Sequence, residues 1–144
     1  MALSLPRTIL LGFIAGALGV LLFHQIVVLI FYLAGLIPFA PYSLKPTAPL
    51  GVPAFLSDAF WGAVWGILLV ALMRYVRATD RIWFAFLFGA ILLPLVYVFV
   101  VLPLKGAPAG PMMSAPVIVF ALLVNGAWGV GAFVFWRLGR RWLG

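Results

Sequence analysis

The chain has 144 residues, 67% of them hydrophobic and 8% charged, with a mean hydropathy of +1.31. Globular domains carry about 25% charged residues and are roughly half apolar, so this composition excludes a soluble domain and points to an integral membrane protein. A net charge of +7 would suggest nucleic acid in a soluble chain. Here the basic residues lie between or outside the apolar segments, so topology accounts for them and no nucleic-acid partner is expected. The lack of cysteine excludes disulfides, thiolate metal sites and cysteine nucleophiles.

The N-terminal stretch Met1-Ala2-Leu3-Ser4-Leu5-Pro6-Arg7 has the single positive charge of a signal-peptide n-region. The apolar run behind it is far longer than the ~7–15 residues of a signal core, and no small-x-small cleavage site ends it. It reads as a retained first span, from Thr8 to Leu36, interrupted by His24-Gln25 and closed by Gly35 and Pro38. Residues 37–53 hold Pro38, Pro41, Pro46, Pro49 and Pro53, a density that forbids a regular helix and predicts a stiff, extended lid.

The second span runs from Ala54 to Tyr75. Ser57 or Asp58 is placed to cap its start, where a carboxylate meets the positive end of the helix dipole. A polar turn with Arg74, Arg77, Asp80 and Arg81 leads to the third span, Ile82 to Leu102. Inside it Pro94 leaves the carbonyl of Ala90 without its usual donor and predicts a kink. A second proline-rich loop, Pro103 to Pro116, contains Lys105. The fourth span, Val117 to Trp136, carries Asn125 and is followed by Arg137, Arg140 and Arg141.

These spans match the ~20 residues a bilayer requires, and backbone inside hydrocarbon must satisfy itself as helix when no barrel alternation is present. The fold class is therefore an all-α integral membrane protein, a single domain of four transmembrane helices over residues 1–144. Arg7, Arg74, Arg77, Arg81, Arg137, Arg140 and Arg141 fall on one side, and Lys45 and Lys105 on the other. The positive-inside rule then sets both termini in the cytoplasm, both proline-rich loops outside, and the protein in the inner membrane. Trp83, Trp136 and Trp142 fit an aromatic belt on the inner side.

Aligning the fourth span on the second matches Ala54 with Ala121, Leu56 with Leu123, Trp61 with Trp128, Gly62 with Gly129 and Arg74 with Arg141, and puts Asp58 opposite Asn125. Aligning the third on the first matches Phe13 with Phe86, Gly16 with Gly89 and Ala17 with Ala90, and puts His24 opposite Tyr97. Residues 1–77 and 78–144 then read as tandem helical hairpins, a parallel repeat about an axis along the membrane normal, against the alternative of chance agreement within a small apolar alphabet.

Few residues within the spans carry chemistry. His24, Asp58, Tyr97 and Asn125 lie at similar depth in the outer half and form the candidate polar site; a His–Asp pair there would suit a proton or cation. On an ideal wheel Asp58, Gly62 and Trp65 share a face, which the glycine turns toward the bundle. Against this stand blander roles: a helix cap for Asp58, a locally satisfied His24, and an interhelical hydrogen bond for Asn125. Gln25, about 100° from His24 on the wheel, is expected to meet a partner helix or another subunit. Gly12, Gly16, Gly62, Gly66 and Gly129 are the helix-packing candidates. Arg74, Arg77, Arg81, Arg137, Arg140 and Arg141 are candidate contacts for anionic lipid.

No phosphate-binding glycine loop, metal-ligand spacing or catalytic motif is visible, and glutamate is absent. No cofactor is expected, and the residues lean away from an enzyme. The leading functional reading is an accessory, assembly or packing subunit that contacts itself or a larger membrane complex through glycine-lined faces, proline loops and Gln25. The alternative is a small transporter or channel with its polar site in the outer half. A lipid-modifying enzyme using His24 and Asp58 as base and orienting partner is a third.

Overall fold

A computed structural model describes residues 4–143, apart from the side chains of Ala78 and Leu143. Met1, Ala2 and Leu3 of the N-terminal segment lie outside the described residues. Four helices are long and apolar enough to cross a membrane: α1 (Leu5–Leu33), α2 (Ala54–Tyr75), α3 (Ile82–Leu104) and α4 (Ala115–Leu143).

Helix α1 begins with Pro6 in its first turn, where the missing N–H has no intrahelical partner to lose. The Ser4 carbonyl accepts from the Thr8 amide at 3.0 Å and from its hydroxyl at 2.9 Å. The helix closes at Gly35, whose φ of +69° suits a residue without Cβ. The Leu36 amide then reaches the Phe31 carbonyl and the Gly35 amide reaches Tyr32, both at 3.0 Å, which satisfies two of the last carbonyls. Helix α3 ends in the same way at Gly106 (φ +65°), with Ala107 bonded to Leu102 and Gly106 to Pro103.

Wide π turns interrupt two of the helices. In α1 one covers Gly19–His24. In α3 they cover Phe88–Leu92 and Tyr97–Val101, just ahead of Pro94 and Pro103. A proline gives no N–H to the carbonyl four residues back, and a wider turn lets nearby carbonyls take donors further along. This is also why α3 continues through Pro103 to Leu104, two residues past the end expected from the sequence.

The first proline-rich loop folds back over the bundle rather than extending as a lid. Its two short strands, β1 (Pro46–Thr47) and β2 (Val52–Pro53), pair antiparallel, and the Ala48–Pro49 peptide is cis. The carbonyls of Lys45 and Ser43 accept the amides of Ala54 at 2.9 Å and Phe55 at 3.2 Å, the first two orphan donors of α2. Residue Pro53 occupies the N-cap and no side chain caps the helix. The expected cap by Ser57 or Asp58 is thus displaced, because backbone carbonyls of the loop already do that work.

Helix α1 packs along both α2 and α4, and α4 along both α1 and α3. The α1–α2 contact is backbone against backbone. A Cβ on Gly16 would strike the Gly62 carbonyl, and one on Gly66 would lie 2.6 Å from the Cα of Gly16. Between α3 and α4, a Cβ on Gly129 would strike the Ala85 carbonyl, and one on Gly89 the Asn125 carbonyl. Small residues let dispersion contacts form along the whole crossing, the main attraction available where lipid tails compete for apolar surface. Helices α2 and α3 meet instead through side chains, with Trp65 and Phe88 ring centroids 6.2 Å apart.

All four helices converge on Trp128, which is 1% exposed. Its indole N–H donates to the Gly16 carbonyl at 2.9 Å. A Cβ on Gly62 would come within 3.0 Å of that nitrogen, and one on Gly89 within 3.1 Å of the ring. Its ring centroid is 6.4 Å from that of Phe88. The aligned tryptophan, Trp61, is 57% exposed.

Candidate functional site

The four polar residues of the candidate site do not bond to one another. Asp58 stands at the edge of the buried stripe of α2, which runs through Ala59, Gly62, Ala63 and Gly66. It is exposed and makes no hydrogen bond or ion pair among the described residues. The wheel reading that turned it into the bundle with Gly62 is corrected: the Val20 side chain and Gly16 carbonyl of α1, with the Trp128 indole, occupy the space in front of Gly62, and Asp58 is left outside the contact. Tyr97 is 44% exposed. The Asn125 side chain donates to the carbonyl of Ala121 on its own helix at 2.9 Å, not across to another. His24 lies on the inward stripe between buried Val20 and Val28, at the end of the π turn. Its Nδ1 is buried and has no hydrogen-bond partner among the described residues.

The neighbouring Gln25 does not face another subunit. It is 4% exposed, and its Oε1 accepts the Tyr42 amide at 3.0 Å. The Tyr42 hydroxyl in turn donates to the Leu21 carbonyl at 2.6 Å, inside the π turn where the regular ladder is disturbed. Its ring lies 6.1 Å from Phe55 of α2, and Phe39 lies 6.0 Å from Phe120 of α4. The loop is therefore pinned to α1, α2 and α4 at one end of the bundle. Nothing in the sequence marks Tyr42 for this role, since its partners are set by how the loop folds back.

All five helix-packing candidates, Gly12, Gly16, Gly62, Gly66 and Gly129, are buried against other helices of the same chain. The glycine faces are thus closed within the monomer. An apolar groove of about 450 Å³ remains on the outside, between Phe23, Val27 and Phe31 of α1, Leu123 and Val130 of α4, and Phe86 of α3. None of the four polar residues lines it.

At the opposite end, Asp80 lies 3.6 Å from both Arg137 and Arg140. Both guanidinium groups also cover Trp136, the Arg140 carbon at 4.5 Å and the Arg137 carbon at 5.7 Å from the ring centroid. Trp136 is 2% exposed, so it belongs to the core and not to an interfacial belt, whereas Trp83 and Trp142 are exposed. Arg74 donates to the Ser4 carbonyl at 3.2 Å and to the Thr8 hydroxyl, which ties α2 to the start of α1.

No family model matches the chain, and neither a curated protein nor a solved structure does.

Proposed function

We propose that the chain is a non-enzymatic accessory or assembly subunit, which contacts a second copy or a larger membrane complex through its outer surface. The observation that carries this reading is the filled interior: Trp128 occupies the point where the four helices meet, and the polar residues of the spans are not joined into a site. With the glycine faces and Gln25 engaged internally, the apolar groove and the outer loops are the surfaces left for contact. The proposal includes both termini on the arginine-bearing side, taken as cytoplasmic, in the inner membrane. It also includes a tandem-hairpin origin, supported by the glycine contacts within α1–α2 and within α3–α4. Gentle detergent extraction followed by mass measurement tests it: co-purifying chains or a self-assembled species are expected, and a strict monomer that brings nothing with it would sink the idea.

The unpartnered Nδ1 of His24 in a π turn favours one rival, a small transporter or channel, because such turns recur at functional sites. Proteoliposome flux that fell in His24→Ala and Asp58→Asn variants would support the rival; flux absent from the wild type would remove it.

A further inference from the structure

Six arginines of the turn and the tail divide into two sets. Arg74 is tied to Ser4 and Thr8, and Arg137 and Arg140 to Asp80 and Trp136. The side chains of Arg77, Arg81 and Arg141 are exposed and make no hydrogen bond, ion pair or ring contact among the described residues. Asp80 sits between Arg77 and Arg81 in the chain, and its pairing with Arg137 and Arg140 draws the turn against the last turns of α4. Arg141 follows Arg140 in the chain, so the three uncommitted arginines stand on the rim of the same end of the bundle. Asp80 is the only acidic side chain at this end among the described residues, and it is already engaged by Arg137 and Arg140. Exposed Trp83 and Trp142 stand next but one to Arg81 and next to Arg141, the residue type that settles at headgroup level.

We propose that this rim binds the phosphate of anionic phospholipids. Arg77, Arg81 and Arg141 are the binding residues, and Asp80 is a positioning residue that holds the turn beside the tail. A guanidinium is planar, keeps its charge at the membrane surface and presents paired donors that match two phosphate oxygens. An anionic leaflet complements the net positive rim, and the tryptophans fix its depth. Arg74, Arg137 and Arg140 serve the fold instead: Arg74 donates to Ser4 and Thr8, and Arg137 and Arg140 are paired with Asp80 and lie over Trp136.

The test is lipid binding by detergent-solubilised protein, titrated with phosphatidylglycerol or phosphatidylcholine and read by native mass spectrometry. Each single Arg→Gln change at positions 77, 81 and 141 is expected to weaken phosphatidylglycerol binding about fivefold, and the triple variant about a hundredfold. Phosphatidylcholine binding should stay unchanged, as should phosphatidylglycerol binding by a Lys45→Gln/Lys105→Gln variant altered at the other end. In the wild type alone, the preference for phosphatidylglycerol should shrink as salt is raised. Equal binding of both lipids by the wild type, or a folded triple variant that retains full phosphatidylglycerol affinity, would overturn the proposal. So would a comparable loss in the lysine variant.

Discussion

Trp128 and Gly16, 112 residues apart in the chain, are joined by a hydrogen bond of 2.9 Å from indole N–H to backbone carbonyl. The indole fits only because Gly62 and Gly89 present no side chain to it. Replacing Trp128 with alanine empties the point where all four helices meet and is expected to destabilise the protein by about 3–5 kcal/mol. Trp128→Phe keeps most of the ring and loses the donor, for a smaller loss of about 1–3 kcal/mol. Thermal unfolding in detergent checks the order; equal midpoints for wild type and Trp128→Ala would contradict the central role.

Gly16→Ala places a methyl group against the Gly62 carbonyl, which is backbone and cannot swing aside. Separation of α1 from α2 should cost about 1–3 kcal/mol. Gly110→Ala is the matched control, since nothing lies within 4 Å of its added Cβ. It should stay within about 0.5 kcal/mol of wild type. The same unfolding experiment reads both.

Tyr42→Phe removes the hydroxyl that holds the loop to Leu21, and is expected to cost about 0.5–1.5 kcal/mol locally. Gln25→Leu leaves the Tyr42 amide without its acceptor. In both variants hydrogen exchange across residues 37–53 should accelerate while exchange in α2 and α4 stays unchanged. Exchange at the wild-type rate would show that the loop is held by other contacts.

Asp80→Asn should release the tail from the turn. The two pairs are long, at 3.6 Å, and the arginine side chains are 40% exposed, so the expected loss is only about 0.2–1 kcal/mol for each pair and shrinks with salt. A double-mutant cycle with Arg140→Gln measures the coupling; a coupling of zero at low salt would assign the arrangement to the Trp136 contacts alone.

Asp58→Asn discriminates between the roles read for this acid. With no partner and no capping bond, the change should leave stability within about 0.5 kcal/mol. A loss near 1 kcal/mol, typical of a removed cap, would restore the capping role.

Four apolar helices could be read directly from the sequence, because hydrocarbon imposes one backbone solution on any apolar run of sufficient length. The stop at Gly35 was equally legible, since a left-handed residue followed by a proline is a local instruction. Which polar side chains turned inward was not. The π turn at Gly19–His24 adds a residue to the turn, so a wheel drawn with uniform spacing rotates Gln25 and everything after it away from its true direction. The destinations of Asp58, Gln25, Trp128 and Trp136 depend on partners far along the chain, whose register is set by glycine backbones meeting carbonyls. Local sequence determined that these helices exist and, at Gly35, why the first of them stops. Only the packed bundle decided that Trp128 is its centre, that Asp58 stands outside it, and that Asp80 joins the turn to the tail, because each outcome rests on contacts between segments that the chain brings together only when folded.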